Sequence, residues 1–86
     1  MPRISEFYGI IICMYFRDHN PPHFHAYYAG DEAEIAIESL SVLAGRLHPR
    51  AMGLVIEWAL LRRQELRRAW EQGQGPRPID PIEPLI

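Results

Sequence analysis

The chain has no lysine: all nine of its basic residues are arginines, set against eleven acids for a formal net charge of −2. That balance excludes a uniformly basic nucleic-acid binder, which draws its affinity from many cations on phosphates. There is one cysteine, Cys13, so no internal disulfide can form. No positively charged leader with a cleavable apolar stretch precedes the first strand-like run, so the expected location is the cytoplasm. The longest apolar run, 9–16, falls far short of the about 20 residues that a membrane-spanning helix needs. A glycine-rich phosphate loop, a paired-cysteine zinc motif and a nucleophile elbow are all missing, which argues against nucleophilic catalysis. With only one long helical pattern, a helix–turn–helix DNA reader is also out of reach.

What is there describes one small folded unit. Eighty-six residues at 48% hydrophobic and 23% charged suit a single domain with one modest core. The charge is unevenly spread: residues 1–45 hold two arginines against six acids, whereas residues 46–68 hold six arginines against two acids. A face of that kind suits phosphates or an acidic partner, although a solvated helix surface has the same pattern.

Phe7 to Phe16, β-branched and aromatic on both alternating faces, reads as one central strand. Asn20-Pro21-Pro22 then interrupts the ladder. His23–Tyr28 and Glu32–Glu38 alternate with period two, and a two-residue turn at Gly30-Asp31 pairs Phe24 with Ile37, Ala26 with Ile35, His23 with Glu38, His25 with Ala36 and Tyr27 with Glu34. In that register one side is core and the other faces water. Residues 40–47 add a short strand or an irregular turn. Pro49 opens a helix that Gly73 closes, with Ala51, Leu54, Val55, Leu61, Leu66 and Ala69 flanking Trp58 in one apolar stripe that Arg62 and Glu65 interrupt. The expected fold class is therefore α+β: a small antiparallel sheet of three to four strands, one long C-terminal helix on one face, and an extended proline-rich tail. The domain spans 1–73 and the tail 74–86, whose prolines forbid helix while Ile79, Ile82, Leu85 and Ile86 ask for burial against the same chain.

Chemistry concentrates in residues 18–25, DHNPPHFH, which hold three of the four histidines. Two positions apart on a strand, His23 and His25 point to one face, a spacing from which two imidazoles reach one metal ion. A third ligand is required, and Asp18, His19 or Glu38 is within reach by sequence. Glu38, placed opposite His23, can alternatively orient the imidazole for acid–base work. Tyr15 and Tyr27 can stack on a base or ring, as well as simply packing the sheet. Cys13 lies in the most apolar strand and reads as an inert core residue.

The opening residues 1–10, the segment Met14-Tyr15 through Asp18-His19-Asn20-Pro21-Pro22-His23-Phe24-His25, the strand Glu34-Ile35-Ala36-Ile37-Glu38, the helix at 50–59 and the closing Ile82-Glu83-Pro84-Leu85 together resemble domain of unknown function 4160, a family of small prokaryotic proteins. The resemblance implies a compact α+β domain of bacterial or archaeal cytosolic origin, with arginine where the family commonly has lysine. It also implies a gene arrangement similar to a toxin–antitoxin or other two-protein module, the neighbour being a small protein of the kind called domain of unknown function 2442. The family carries no settled activity.

Three readings follow. In the first, the chain is the interaction module of a two-protein system, with Arg63, Arg67 and the apolar tail meeting a small protein partner or a nucleic acid. In the second, it is a metal-independent ribonuclease in which His23 and His25 act as acid and base, Glu38 orients and Arg17 neutralises phosphate. In the third, His23, His25 and Asp18 hold a divalent metal. Asp18, His19, Asn20 and Tyr27 form the binding surface around the imidazoles in each. A strand apolar on both faces leaves room for a homodimer.

Overall fold

The computed structural model describes residues 2–86. It contains five strands and two helices, β1 (Arg3–Phe7), β2 (Ile10–Cys13), β3 (His23–Tyr28), β4 (Asp31–Ala36), β5 (Val42–Gly45), α1 (Pro49–Leu61) and α2 (Arg63–Gln74). The α+β class holds, but the sheet has five strands rather than three or four. All neighbours are antiparallel and the order is that of the chain, β1-β2-β3-β4-β5.

The extra strand, β1, lies almost wholly ahead of the 7–16 run expected as one strand, and that run supplies only β2. The chain reverses at Tyr8-Gly9, both at positive φ (51° and 79°), so residues before and after the turn pair as β1 and β2. Ala29-Gly30 uses the same two-residue device between β3 and β4, with φ of 50° and 86°. Two successive positive φ values are the mark of a type I′ hairpin, whose twist matches that of the strands. The turn thus sits one residue earlier than Gly30-Asp31, and the register moves by two. Phe24 faces Ile35, Ala26 faces Ala33, His23 faces Ala36, His25 faces Glu34 and Tyr27 faces Glu32. A shift of two preserves which side each residue occupies. It does remove Glu38 from His23, because β4 ends at Ala36 and Glu38 lies beyond it.

One face of the sheet carries Ile10, Ile12, Phe24, Ala26, Ala33 and Ile35, all fully buried. Against it packs α1, whose buried residues Ala51, Val55, Trp58 and Ala59 recur at helical spacing. The Trp58 ring lies 5.4 Å from Phe7 and 5.8 Å, edge-on, from Phe24. Pro49 stands at the first helical position, and His48 caps the helix by accepting the Arg50 N–H at 3.2 Å.

The single long helix is in fact two. Arg62 leaves helical geometry (φ −117°, ψ 20°) with its N–H shared between the Trp58 and Ala59 carbonyls. A straight helix over 49–74 measures about 39 Å at 1.5 Å per residue, longer than the 34 Å greatest extent of the molecule. The break lets a second stripe, Leu66, Ala69, Trp70 and Gly73, turn back into the core. Leu61, placed in the stripe by a continuous helix, is exposed instead, and Trp70, outside that stripe, is buried. Arg62 and Glu65, the polar interruption of the pattern, flank the break at 3.8 Å. No helix among the described residues is long and apolar enough to cross a membrane.

The proline-rich segment lies along its own chain as far as Leu85, whereas Ile86, expected to be buried with it, is fully exposed. Ile82 is buried and its N–H donates to the Ile4 carbonyl at 2.7 Å, the Trp58 indole donates to the Glu83 carbonyl at 2.8 Å, and Gln72 clasps Asp80 through two hydrogen bonds. Ile82→Ala should therefore destabilise the protein by about 2–4 kcal/mol, lowering Tm by about 10 °C or more. Thermal denaturation by circular dichroism measures this, and an unchanged Tm would mean that the segment is not docked.

Candidate functional site

Residues alternate across a strand, so His23, His25 and Tyr27 occupy the side of β3 opposite Phe24, Ala26 and Tyr28. The ladder then sets their neighbours. Cys13 on β2 faces His25, Glu34 on β4 faces His25, and Glu32 faces Tyr27. Ahead of β3 the chain bends through Asn20-Pro21-Pro22, with a cis Asn20–Pro21 bond, and Pro22 is anchored by the Ile37 N–H at 3.0 Å. The bend is tied to the end of α2 as well: the Arg17 N–H donates to the Gly73 carbonyl at 2.9 Å, and Gln74 reaches the Asp18 carbonyl at 3.4 Å. Asp18 is thereby carried over the imidazoles.

The two rings lie 5.1 Å apart, on one side of the sheet as the alternation requires, but they are not on an open wet surface. His23 is 1% exposed and His25 8%. Trp70 of α2 covers His23 at 5.4 Å, and Tyr15 sets its edge against His25 at 4.6 Å. The Asp18 Oδ2 atom stands 3.0 Å from His23 Nε2 and 3.2 Å from His25 Nε2.

The outer nitrogens of both rings are occupied. His23 Nδ1 is 2.7 Å from the Pro21 carbonyl oxygen, which only accepts, so Nδ1 carries the hydrogen. With the hydrogen on Nδ1, the neutral form of the ring has a bare Nε2. That atom is buried and makes no hydrogen bond. The Asp18 oxygen is close to it but stands off the ring's bonding direction, and Glu34 Oε1 approaches to 3.6 Å. His25 Nδ1 lies 3.2 Å from Glu32 Oε2. Imidazoles whose far nitrogen donates to a carbonyl or a carboxylate have their near nitrogen oriented for a metal ion. Ligand atoms of Asp18, His23 and His25 all fall within 4.8 Å of one another, as do those of His19, His23 and Glu34.

Three carboxylates, Asp18, Glu32 and Glu34, thus surround two imidazoles, and among the described residues none of the three pairs with an arginine. Burial pushes the Asp18 carboxyl up, but the His19 N–H, the His25 hydrogen bond and the nearby imidazoles outweigh it and hold the group below its ordinary range. Burial, reinforced by the Tyr15 hydroxyl that is hydrogen-bonded to it, raises Tyr27 far above the usual phenol value. Burial likewise keeps Cys13 a thiol.

The remaining expected residues separate from this centre. Glu38 accepts both guanidinium arms of Arg67 at 2.7 Å, which holds its carboxyl below the ordinary range, and it does not orient His23. Ala36 occupies the position opposite His23 instead. Arg63 donates to the Ile37 carbonyl at 3.3 Å. The Arg17 side chain is exposed and contacts neither imidazole, its backbone being the part engaged. His19 is exposed, stacked on His23 at 5.1 Å, with a ring nitrogen 3.3 Å from the Asn20 carbonyl. Glu32, Glu34 and the Pro21 carbonyl escaped the sequence reading, since all three depend on the true hairpin register or on a bend no periodicity describes.

A family profile matches residues 9–71, which covers the bend, both site strands and most of the helices. The chain belongs to the DUF4160 family, a domain of unknown function. No curated protein matches the chain, and no solved structure does. This DUF4160 domain therefore takes its functional reading from its own geometry.

The Asp18 carboxylate gives a pH prediction. A carboxyl depressed in the folded state stabilises the fold above its unfolded value of about 3.9 and loses that contribution as pH falls through the folded value. Urea denaturation between pH 5 and pH 2.5 should show an acid limb that Asp18→Asn flattens; identical limbs in the two proteins would contradict the assignment.

Proposed function

We propose that this DUF4160 domain is a divalent-metal-binding protein whose ion is held by Asp18, His23 and His25. The observation that carries this reading is the buried His23 Nε2: its ring partner is fixed, it makes no hydrogen bond, and carboxylates crowd around it. Such an atom costs about 1–3 kcal/mol if left alone, so it calls for a cation. A proton is the simplest one, but an N–H at this position is misaligned with Asp18. A metal removes the difficulty. Ligands bound at about 2.0–2.2 Å stand roughly 3–3.5 Å from one another, as Asp18 Oδ2 does from His23 Nε2 at 3.0 Å and from His25 Nε2, with which it shares a hydrogen bond, at 3.2 Å.

Two imidazoles and a carboxylate favour zinc or a neighbouring transition metal over magnesium or calcium, which prefer all-oxygen sites. The alternatives fit less well. In a ribonuclease the phosphate would meet Asp18, Glu32 and Glu34 with no arginine among them. In a partner-binding module built on Arg63, Arg67 and the tail, the two arginines are engaged within the chain, and so is the tail.

Calorimetric titration of untagged protein with zinc should show one ion per chain. His23→Ala and His25→Ala should each weaken binding by about 100-fold or more, and Glu32→Gln by about 10-fold through loss of the His25 support. Glu38→Gln, remote from the centre, should bind as the parent does. Zinc uptake that survives His23→Ala would refute the site.

A further inference from the structure

We propose, building on the metal reading, that Glu34 is the general base of a hydrolytic centre acting on neutral esters or amides bound in the groove over Ala44 and Gly45. The sheet register brings the parts together. Cys13, His25, Glu34 and Ala44 are successive partners across β2, β3, β4 and β5, so they form one row on one face. Glu34 stands between the metal ligands and the sheet edge.

Its position suits a base better than a ligand. Glu34 Oε1 lies 3.6 Å from His23 Nε2, farther than the 3.0 Å of Asp18, and groups with His19 and His23 rather than with Asp18 and His25. That places it beside the ion at the reach of an ion-bound water. With three protein ligands, the ion keeps a position open for that water, as catalytic zinc sites do and four-ligand structural ones do not. The Glu34 side chain is 26% exposed and, among the described residues, pairs with no arginine.

Space for a substrate lies on its other side. Glu32, Glu34, Ala44 and Gly45 line a groove of about 200 Å³. Gly45 has no substitute there: at φ +72° an added Cβ would come within 2.1 Å of the Glu32 carbonyl. Charge selects the substrate. Asp18, Glu32 and Glu34 with a dication leave a net charge of −1, which repels phosphodiesters and admits neutral or cationic acyl compounds.

The step balances without an oxidant or reductant. Glu34 takes a proton from the ion-bound water as its oxygen bonds to the acyl carbon, and the tetrahedral adduct then breaks its bond to the alcohol or amine. Glu34 returns the proton to that leaving group, so ester and water become acid and alcohol.

The test compares zinc-loaded with chelator-stripped full-length protein on 4-nitrophenyl acetate and bis(4-nitrophenyl) phosphate. The loaded protein should hydrolyse the acetate faster than the stripped one and leave the phosphate diester untouched. Glu34→Gln should keep its zinc affinity by calorimetry and lose the zinc-dependent rate by about 100-fold or more. Glu34→Asp should recover part of that rate, and Ala44→Leu, which fills the groove, should raise KM. Loss of zinc in Glu34→Gln would make Glu34 a ligand and overturn the proposal. A loaded protein no faster than the stripped one, or one faster on the diester, would overturn the activity or its substrate class with the metal centre intact. Failure to take up zinc at all would instead remove the reading beneath it.

Discussion

One hydrogen bond, from His23 Nδ1 to the Pro21 carbonyl, decides the chemistry of the polar face. It directs Nδ1 outward and Nε2 inward, and by burying Nε2 next to Asp18 and Glu34 the fold creates a demand for positive charge there, whether a proton or a metal ion. Two residues separate donor and acceptor, so the bond exists only because the Asn20-Pro21-Pro22 bend folds the chain back on the start of β3. The bend is itself pinned at Pro22 by Ile37, the residue just after β4, and at Arg17 and Asp18 by the end of α2. The centre therefore depends on contacts from three separate parts of the chain.

The sheet divides the molecule between two tasks. Its α1 face is a conventional apolar core around Trp58 and Phe24, which supplies stability. The opposite face can then hold buried imidazoles and carboxylates that, among the described residues, no arginine pairs, at some cost to stability. Charged and polar groups gathered without compensation tend to mark functional sites. Tyr15, Tyr27 and Trp70 enclose the rings on that face, lowering the local dielectric and strengthening whatever cation the site binds.

Much of this was readable from residue order, and the losses have specific causes. Period-two alternation put His23 and His25 on one side and Phe24 and Ala26 on the other. That division survived a wrong turn position because the register moved by an even number. The identity of the facing residue did not survive, so Glu38 was assigned a role that its ion pair with Arg67 excludes. Both hairpins turn at a non-glycine residue in left-handed geometry, Tyr8 and Ala29, a conformation that costs about 1–2 kcal/mol and that local propensity therefore argues against. The helix break at Arg62 contains neither proline nor glycine; only the polar gap in the apolar stripe hinted at it. Asp18 was visible as a neighbour in sequence, whereas its placement over two rings comes from tertiary contacts that no pattern encodes.

The most direct examination of the central claim is anomalous diffraction from crystals of the protein grown with zinc. One strong peak is expected at about 2.0–2.2 Å from His23 Nε2, His25 Nε2 and an Asp18 oxygen, with the His23 Nδ1 bond to Pro21 retained. A map without density there, in which His23 Nε2 instead donates a well-aligned hydrogen bond to Asp18, would show that a proton satisfies the site and would contradict the claim.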